Sequence, residues 1–294
     1  MRIRKSAGER VFDSLNYLFL GMLVFTMAYP FWYLFALSLA NPGAVALTRV
    51  YFWPGSVTLQ AYQQVFKSVY IFYGFFWSIT RTVLGTAIAV VLGFNFAFVL
   101  SKKTFPNRGL WTALLVFTMF FSGGLIPEYL NIQSLGMVDT VWALVLPGCI
   151  SAYNIVIMRN FIQSLPDSLE ESARIDGAND ILILYKIIVP LSLPIIATIS
   201  LWTAVGHWNA WFDGMIYIRT PEKQILQVTL RRVVLEGSSQ LVSLAGETEQ
   251  QKNLLANETI KAAMVIVTTL PILIVYPFIQ KYFVKGIMIG SLKG

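Results

Sequence analysis

Residues 165–180 read LPDSLEESARIDGAND. Asp167, Glu170, Glu171, Asp176 and Asp180 place five carboxylates in this stretch, with long apolar runs on both sides. Their spacing suits helix ends and recognition of a partner, not catalysis. The chain has one histidine, His207, and one cysteine, Cys149. A metal cluster or a Ser/His/Asp arrangement cannot be argued from those two, and one cysteine makes no internal disulfide. No Gly-x-x-x-x-Gly-Lys-Ser/Thr loop occurs, and SGGLIPEYL lacks the lysine that a phosphate cradle of that kind uses. The chain therefore does not bind ATP by that route.

The acidic segment predicts two short helices around a glycine. Ser168 and Glu171 have the spacing of a capping box, each side chain reaching the other's amide. Pro166 fits the helix start, Glu170 and Glu171 suit the positive end of the dipole, and Glu170 with Arg174 makes an i,i+4 pair. Gly177 fits the left-handed position that ends a helix. Asp180 is expected to cap a second helix, Ile181 to Val189, stopped by Pro190. A helix this short is unstable alone and must pack on its own chain or on a partner. An ordinary, well-capped loop accounts for the same residues.

The elements that carry this segment are membrane spans. The chain is 56% hydrophobic and 13% charged, where soluble domains carry roughly 45–50% and about 25%. Six apolar runs are long enough to cross roughly 30 Å of hydrocarbon: about 14–39, 71–100, 110–130, 141–161, 191–218 and 260–283. The first is too long for a cleavable signal and lacks a small-residue cleavage site. Arg2, Arg4, Lys5 and Arg10 before it put the N-terminus in the cytoplasm. Lys102, Lys103 and Arg108 in the second connection, and Lys281, Lys285 and Lys293 in the tail, agree. This topology puts the acidic segment, about 165–190, on the cytoplasmic face. The longest outer connection is about 219–259.

Ionisable residues within spans are functional candidates by default. Arg81 lies about 28 Å from Leu100, and His207 about 24 Å from Leu191, at roughly 1.5 Å per residue. In one reading Arg81 reaches the outer interface or pairs with Asp213, and His207 is hydrogen-bonded between helices. In the other, Arg81 and His207 face a translocation path and favour an anionic, uronate-bearing sugar. Trp208, Asn209 and Trp211 follow on the same span; the tryptophans suit either sugar faces or an interfacial belt.

The stretch EESARIDGANDILILYKIIVPLSLP resembles the cytoplasmic signature loop of binding-protein-dependent ABC importer permeases. Glu171-Ser172-Ala173 matches the Glu-Ala-Ala part of the family pattern, with Ser in the middle. Asp176-Gly177-Ala178 matches the Asp-Gly-Ala part, and Tyr185, Ile188, Pro190 and Leu191 complete it. HWNAWFD in span five and the KGIMIGSLKG tail extend the likeness to carbohydrate-uptake, maltose-type permeases of the complex-oligosaccharide subgroup. The resemblance implies an all-α, six-span type I permease forming one membrane domain over 1–294 in a bacterial plasma membrane. It implies a second homologous permease in a heterodimer, two cytoplasmic ATPase subunits that hold the ATP and Mg, an extracytoplasmic binding protein, and no cofactor in this chain. Membrane lipid is a partner and nucleic acid is not.

By the same resemblance the acidic loop is a coupling helix. Glu170, Glu171, Ala173, Asp176, Gly177 and Ala178 would form the ATPase contact. Glu171 would meet a cation, Ala173 and Gly177 would allow close approach, and Asp176 would fix the turn. The outer connections would receive the binding protein, and the tail would reach toward the ATPase. Rival readings are an ABC permease for another small solute, an ion-coupled secondary transporter, for which no internal repeat is visible, and a membrane enzyme, for which no catalytic set converges.

Overall fold

The computed structural model describes residues 6–41, 52–235 and 257–275. Helices dominate: α1 Ala7–Ser38, α2 Gln60–Lys67, α3 Val69–Ser101, α4 Arg108–Phe120, α5 Leu125–Ser134, α6 Trp142–Val145 and α7 Ala152–Gln163. There follow α8 Asp167–Ile175, α9 Asp180–Leu191, α10 Leu193–Asn209, α11 Phe212–Tyr217, α12 Leu226–Leu235 and α13 Asn257–Val275. The only pairing of extended backbone among the described residues is the single antiparallel bridge Ala40–Val57. Two compact units are distinguished, Met1–Val69 with Leu230–Thr269, and Tyr70–Thr229 with Leu270–Gly294.

In the first unit α1 starts with a capping box. Ser6 Oγ accepts from the Glu9 amide at 3.2 Å, and the Ser6 amide donates to Glu9 Oε2 at 2.7 Å. Its apolar side chains stay exposed along most of its length, which suits hydrocarbon and not water. The Trp32 indole donates to the Phe52 carbonyl at 2.8 Å, and the Ser38 and Tyr62 hydroxyls lie 2.7 Å apart. These bonds fold the chain after α1 back beside it.

The second unit is organised on α3. At roughly 1.5 Å per residue this helix is about 50 Å long, more than a bilayer needs. It buries Ile71, Gly74, Ser78, Arg81 and Gly85 on one face, the three- and four-residue steps of a helical stripe. Its far end buries Phe94, Ala97, Phe98 and Leu100 against Ile155, Met158, Ala173, Ile183 and Ile199. The second core joins Ile132, Ala143 and Leu144 to Tyr217, Ile218, Ile225 and Val228.

The helical class agrees with the sequence reading, but several expected spans are broken. α1, α3 and α13 are uninterrupted and long enough to cross a membrane. The 110–130 run is α4 and α5, bent by 112°, because Gly124 takes φ 83° after Ser122-Gly123. The 141–161 run stops at Pro147-Gly148, where Gly148 takes φ 70°. That leaves α7 about 18 Å long, short of the roughly 30 Å that a bilayer requires. The fifth run begins earlier than expected, at Asp180, and bends by 79° before α10. Pro190 does not end its helix: a π turn over Leu184–Ile188 precedes it, and such turns re-satisfy carbonyls that a proline frees. Residues 276–283 of the last run, 236–256 of the 219–259 connection, the terminal basic residues Arg2, Arg4, Lys5, Lys281, Lys285 and Lys293, and the KGIMIGSLKG tail lie outside the described residues; Arg10 lies in the first turn of α1.

Asp139 ties the connection after α5 to the chain after α11. It sits at φ 62° and accepts from the Arg219 amide at 3.0 Å, the Thr220 amide at 2.9 Å and the Thr220 hydroxyl at 2.5 Å. The Lys223 ammonium reaches its carboxylate at 3.1 Å and its carbonyl at 2.9 Å. Burial alone would push the carboxyl up; the hydrogen bonds from Thr220, Lys223 and Arg219 outweigh it and hold Asp139 well below the usual carboxylate range. A depressed folded-state pKa contributes stability above the unfolded value near 4 and loses it as pH falls toward the folded value. Asp139→Asn should therefore destabilise the detergent-solubilised protein by about 1–3 kcal/mol at pH 7. In thermal melts the gap to wild type should be constant down to about pH 5 and shrink below about pH 4.

Candidate coupling segment and helix crossing

α8 is positioned at both ends. Pro166, at φ −62° and ψ 127°, is its N-cap, and no side chain caps it. The expected Ser168–Glu171 capping box is therefore not formed: the helix starts one residue earlier, and Ser168 lies inside the first turn. The C-terminus is a Schellman motif. The Ala178 amide donates to the Ala173 carbonyl at 2.9 Å and the Gly177 amide to the Arg174 carbonyl at 3.1 Å, with Gly177 at φ 81°, as the motif requires. Any other residue at 177 would strain that turn. Asp176 is the C-cap. The next helix is capped by Asn179, whose side chain accepts from the Leu182 amide at 2.9 Å, and not by Asp180 as expected. Asp180 instead pairs with Arg174.

Two ion pairs join α8 to the end of α3. Glu170 pairs with Lys102, whose ammonium also lies 4.0 Å from the centre of the Phe98 ring. Asp167 pairs with Lys103 at 3.0 Å. The first is mostly shielded and the second is open to solvent, so the first carries more of the tie. These long-range partners replace the expected Glu170–Arg174 pair. The Gln163 amide nitrogen adds a bond to the Ser101 carbonyl at 3.3 Å. Ala173 is the buried residue of α8 and seats it on the α3–α7 core. Glu171 is exposed. Ile175 is 87% exposed and Ile181 69% exposed, apolar side chains held out beside the glycine turn. The sequence reading passed over both; their signal is an isoleucine on either side of an otherwise polar Asp-Gly-Ala-Asn-Asp turn.

The second group lies where α3 meets the break between α10 and α11. Arg81 is 3% exposed. Its guanidinium donates to the Ala210 carbonyl and to Asp213 Oδ1, both at 3.2 Å, and pairs with Asp213 Oδ2 through its second nitrogen. Asp213 Oδ1 also accepts from the Gly214 amide at 2.9 Å. The arginine thus satisfies groups left open by the helix break, and its charge is balanced. His207, one turn before the break, packs its ring on Gly85, where a Cβ would run into the imidazole. Trp208 is buried, with its ring 6.4 Å from that of Phe75. Asn209 ends α10 and is exposed, and Trp211 is half-buried in the break against Phe212. Arg81, His207 and Trp208 therefore share the α3 crossing; Asn209 does not join them. Among the described residues no three His, Cys, Asp or Glu side chains are grouped to hold a metal.

Truncating Asp213 leaves a buried guanidinium without its carboxylate. Asp213→Ala should cost about 3–5 kcal/mol and Arg81→Met with Asp213→Leu together much less, as replacement of a whole buried pair does. Thermal melts of the two purified proteins give the comparison.

A family described as "Binding-protein-dependent transport system inner membrane component" matches residues 109–289, more than half of the chain. Protein LplC of Bacillus subtilis (strain 168) is 44% identical over 285 residues, covering 97% of this chain and 96% of its own. The polygalacturonan/rhamnogalacturonan transport system permease protein YtcP of the same organism is 42% identical over 292 residues, covering 97% and 99%. A crystal structure of a bacterial ABC transporter involved in the import of the acidic polysaccharide alginate superposes with a TM-score of 0.86 at 32% identity, covering 96% of this chain and 99% of that one. With half of the sequence under the family description and relatives alike nearly end to end, the chain belongs to the binding-protein-dependent transport system inner membrane components, the non-catalytic permeases of ABC transporters.

Proposed function

We propose that this permease takes up oligosaccharides, uronate-bearing ones among them, delivered by an extracytoplasmic binding protein. It does so by alternating access within a heterodimer with a second homologous permease. The whole chain acts as one membrane domain in the bacterial inner membrane, with both termini cytoplasmic. Two ATPase subunits bind the ATP and Mg, and this chain carries no cofactor. The observation that carries the reading is α8. It is a short helix ended by a glycine turn and tied to the end of α3 by Lys102 and Lys103; it presents Glu171 and Ile175 outward, with Ile181 of α9 beside them. A rigid element of that kind transmits a partner's movement to the spans it is tied to.

The substrate class draws support from relatives named for polygalacturonan/rhamnogalacturonan transport and for alginate import. The path residues proposed are Arg81, His207, Trp208, Asn209 and Trp211. Because Asp213 already balances Arg81, an anionic sugar competes with that carboxylate for the guanidinium. Uptake competition between neutral and uronate-bearing oligosaccharides in Arg81→Ala tests this. Selective loss of the acidic substrate supports a direct role, and equal loss of both removes it.

The tie between α8 and α3 is tested by charge exchange in the reconstituted transporter. Lys102→Glu should lower sugar moved per ATP hydrolysed by about fivefold or more, the lower end of typical coupling energies. Combining it with Glu170→Lys should restore most of the loss. Glu171→Lys and Gly177→Pro should leave the protein in the membrane while uncoupling hydrolysis from uptake. Unchanged uptake in both would refute the coupling role.

A further inference from the structure

A cavity of about 1010 Å³ lies beside α8, bordered by the ends of α3 and α7 and the start of α4. The three ion pairs described above neutralise most of the charge around it. Two cations in its lining are left over, Arg108 and Arg159. Among the described residues neither has an ion pair, and the Arg159 Nε is buried with no hydrogen-bond partner. Both side chains line this one cavity, where like charges repel. Glu171 borders the same cavity but is exposed and makes no ion pair with either. Two like charges with an unmet buried donor are unfavourable unless an anion completes the group.

Position decides which anion. Arg108 is the first residue of α4, and Arg159 lies in α7 about 6 Å from its end at Gln163. Both thus lie near the ends of their helices, beside α8. α4 and α7 are neighbours. α4 buries none of its residues, and Leu110, Trp111 and Leu114 stay exposed on it, an apolar track leading away from Arg108. The N-cap of α4, Asn107, makes no side-chain cap bond, so first-turn amides are open there as well. A phosphate with hydrocarbon attached fits this arrangement better than a protein carboxylate, which would come without chains for the track. Basic pockets between spans hold lipid headgroups in other membrane proteins.

We propose that Arg108 and Arg159 form a phosphate site that holds the headgroup of an anionic phospholipid between α4 and α7. The site requires that these helices meet the bilayer.

The purified full-length permease, within its transport complex in detergent, is offered equimolar phosphatidylglycerol and phosphatidylcholine, and bound lipid is counted by native mass spectrometry. Wild type should prefer phosphatidylglycerol, and Arg108→Gln with Arg159→Gln should reduce that preference about tenfold or more. Arg108→Lys with Arg159→Lys, which keeps the charge, should retain most of it. Equal binding of the two lipids by wild type overturns the proposal, whether or not the glutamine variant assembles. Millimolar inorganic phosphate that fills the site and abolishes the lipid preference assigns it to a soluble anion and overturns the lipid source. Loss of the ATPase subunits from the glutamine variant, with lipid preference intact, assigns the arginines to a protein contact and likewise overturns it. Sugar uptake is not the readout, so failure here leaves the transport reading standing.

Discussion

Backbone amides and carbonyls have no water to bond with inside hydrocarbon, and each one left unmet there costs several kcal/mol. This chain nevertheless breaks its spans repeatedly, at Ser122–Gly124, Pro147-Gly148, Ser192 and Ala210. Much of its distinctive side-chain chemistry answers that constraint. Arg81 takes the Ala210 carbonyl and holds the Asp213 carboxylate at the start of α11. The π turn over Leu184–Ile188 accommodates Pro190. The Ser192 amide reaches back to the Ile188 carbonyl at 2.9 Å across the bend. Outside the hydrocarbon, Asp139 does for two loops what a cap does for a helix.

A charge can be buried in such a place only with its partner, and that shapes what Arg81 can do. A free guanidinium facing a cavity would be an anion site. A guanidinium shared between a carboxylate and a carbonyl is a brace, and an anionic sugar reaches it only by displacing Asp213. The brace also defines a movable joint, since α10 and α11 are separate rods meeting at Ala210, with Arg81 on a third helix holding the meeting point. His207 on Gly85 sets the distance between α3 and α10 one turn away. Any rearrangement of span five must either carry α3 with it or release these contacts.

Local chemistry was legible in the sequence where it is decided by neighbours. Gly177 ends α8 in the conformation its type predicts, and the acidic segment is helical on both sides of it. Reading went wrong where several local choices compete. Pro166 supplied the N-cap before Ser168 could, Asn179 outcompeted Asp180, and Glu170 found Lys102 in place of Arg174. The first two are choices between near neighbours; the third is set by packing that brings residues 68 positions apart together, which no helical spacing encodes. The spans were found by hydropathy, but hydropathy averages over a window and cannot register a bend. A run of apolar residues with one Gly-Gly or Pro-Gly reads as a straight span, although those pairs are what turn the chain. Of the site residues, the open alternative that Arg81 meets Asp213 matches the geometry, whereas Ile175 and Ile181 drew no notice because a lone exposed isoleucine has no pattern.

The same competition explains why the α8 face is rigid without being buried. Its carboxylates are not a diffuse acidic surface: Asp167, Glu170 and Asp180 are each committed to a cation of this chain, which leaves Glu171 on the helix and Asp176 at its C-cap as the exposed charges. Each exposed pair contributes little to stability, about 0–1 kcal/mol. The Asp167 and Glu170 pairs hold α8 on the end of α3, and the Asp180–Arg174 pair with the Schellman turn sets α8 against the start of α9. A partner docked on Glu171 and Ile175, as proposed, would push on the end of a helix about 50 Å long, and that helix carries Arg81 in its other half. In the proposed coupling role, a displacement at α8 would reach the α10–α11 joint through α3, one continuous helix.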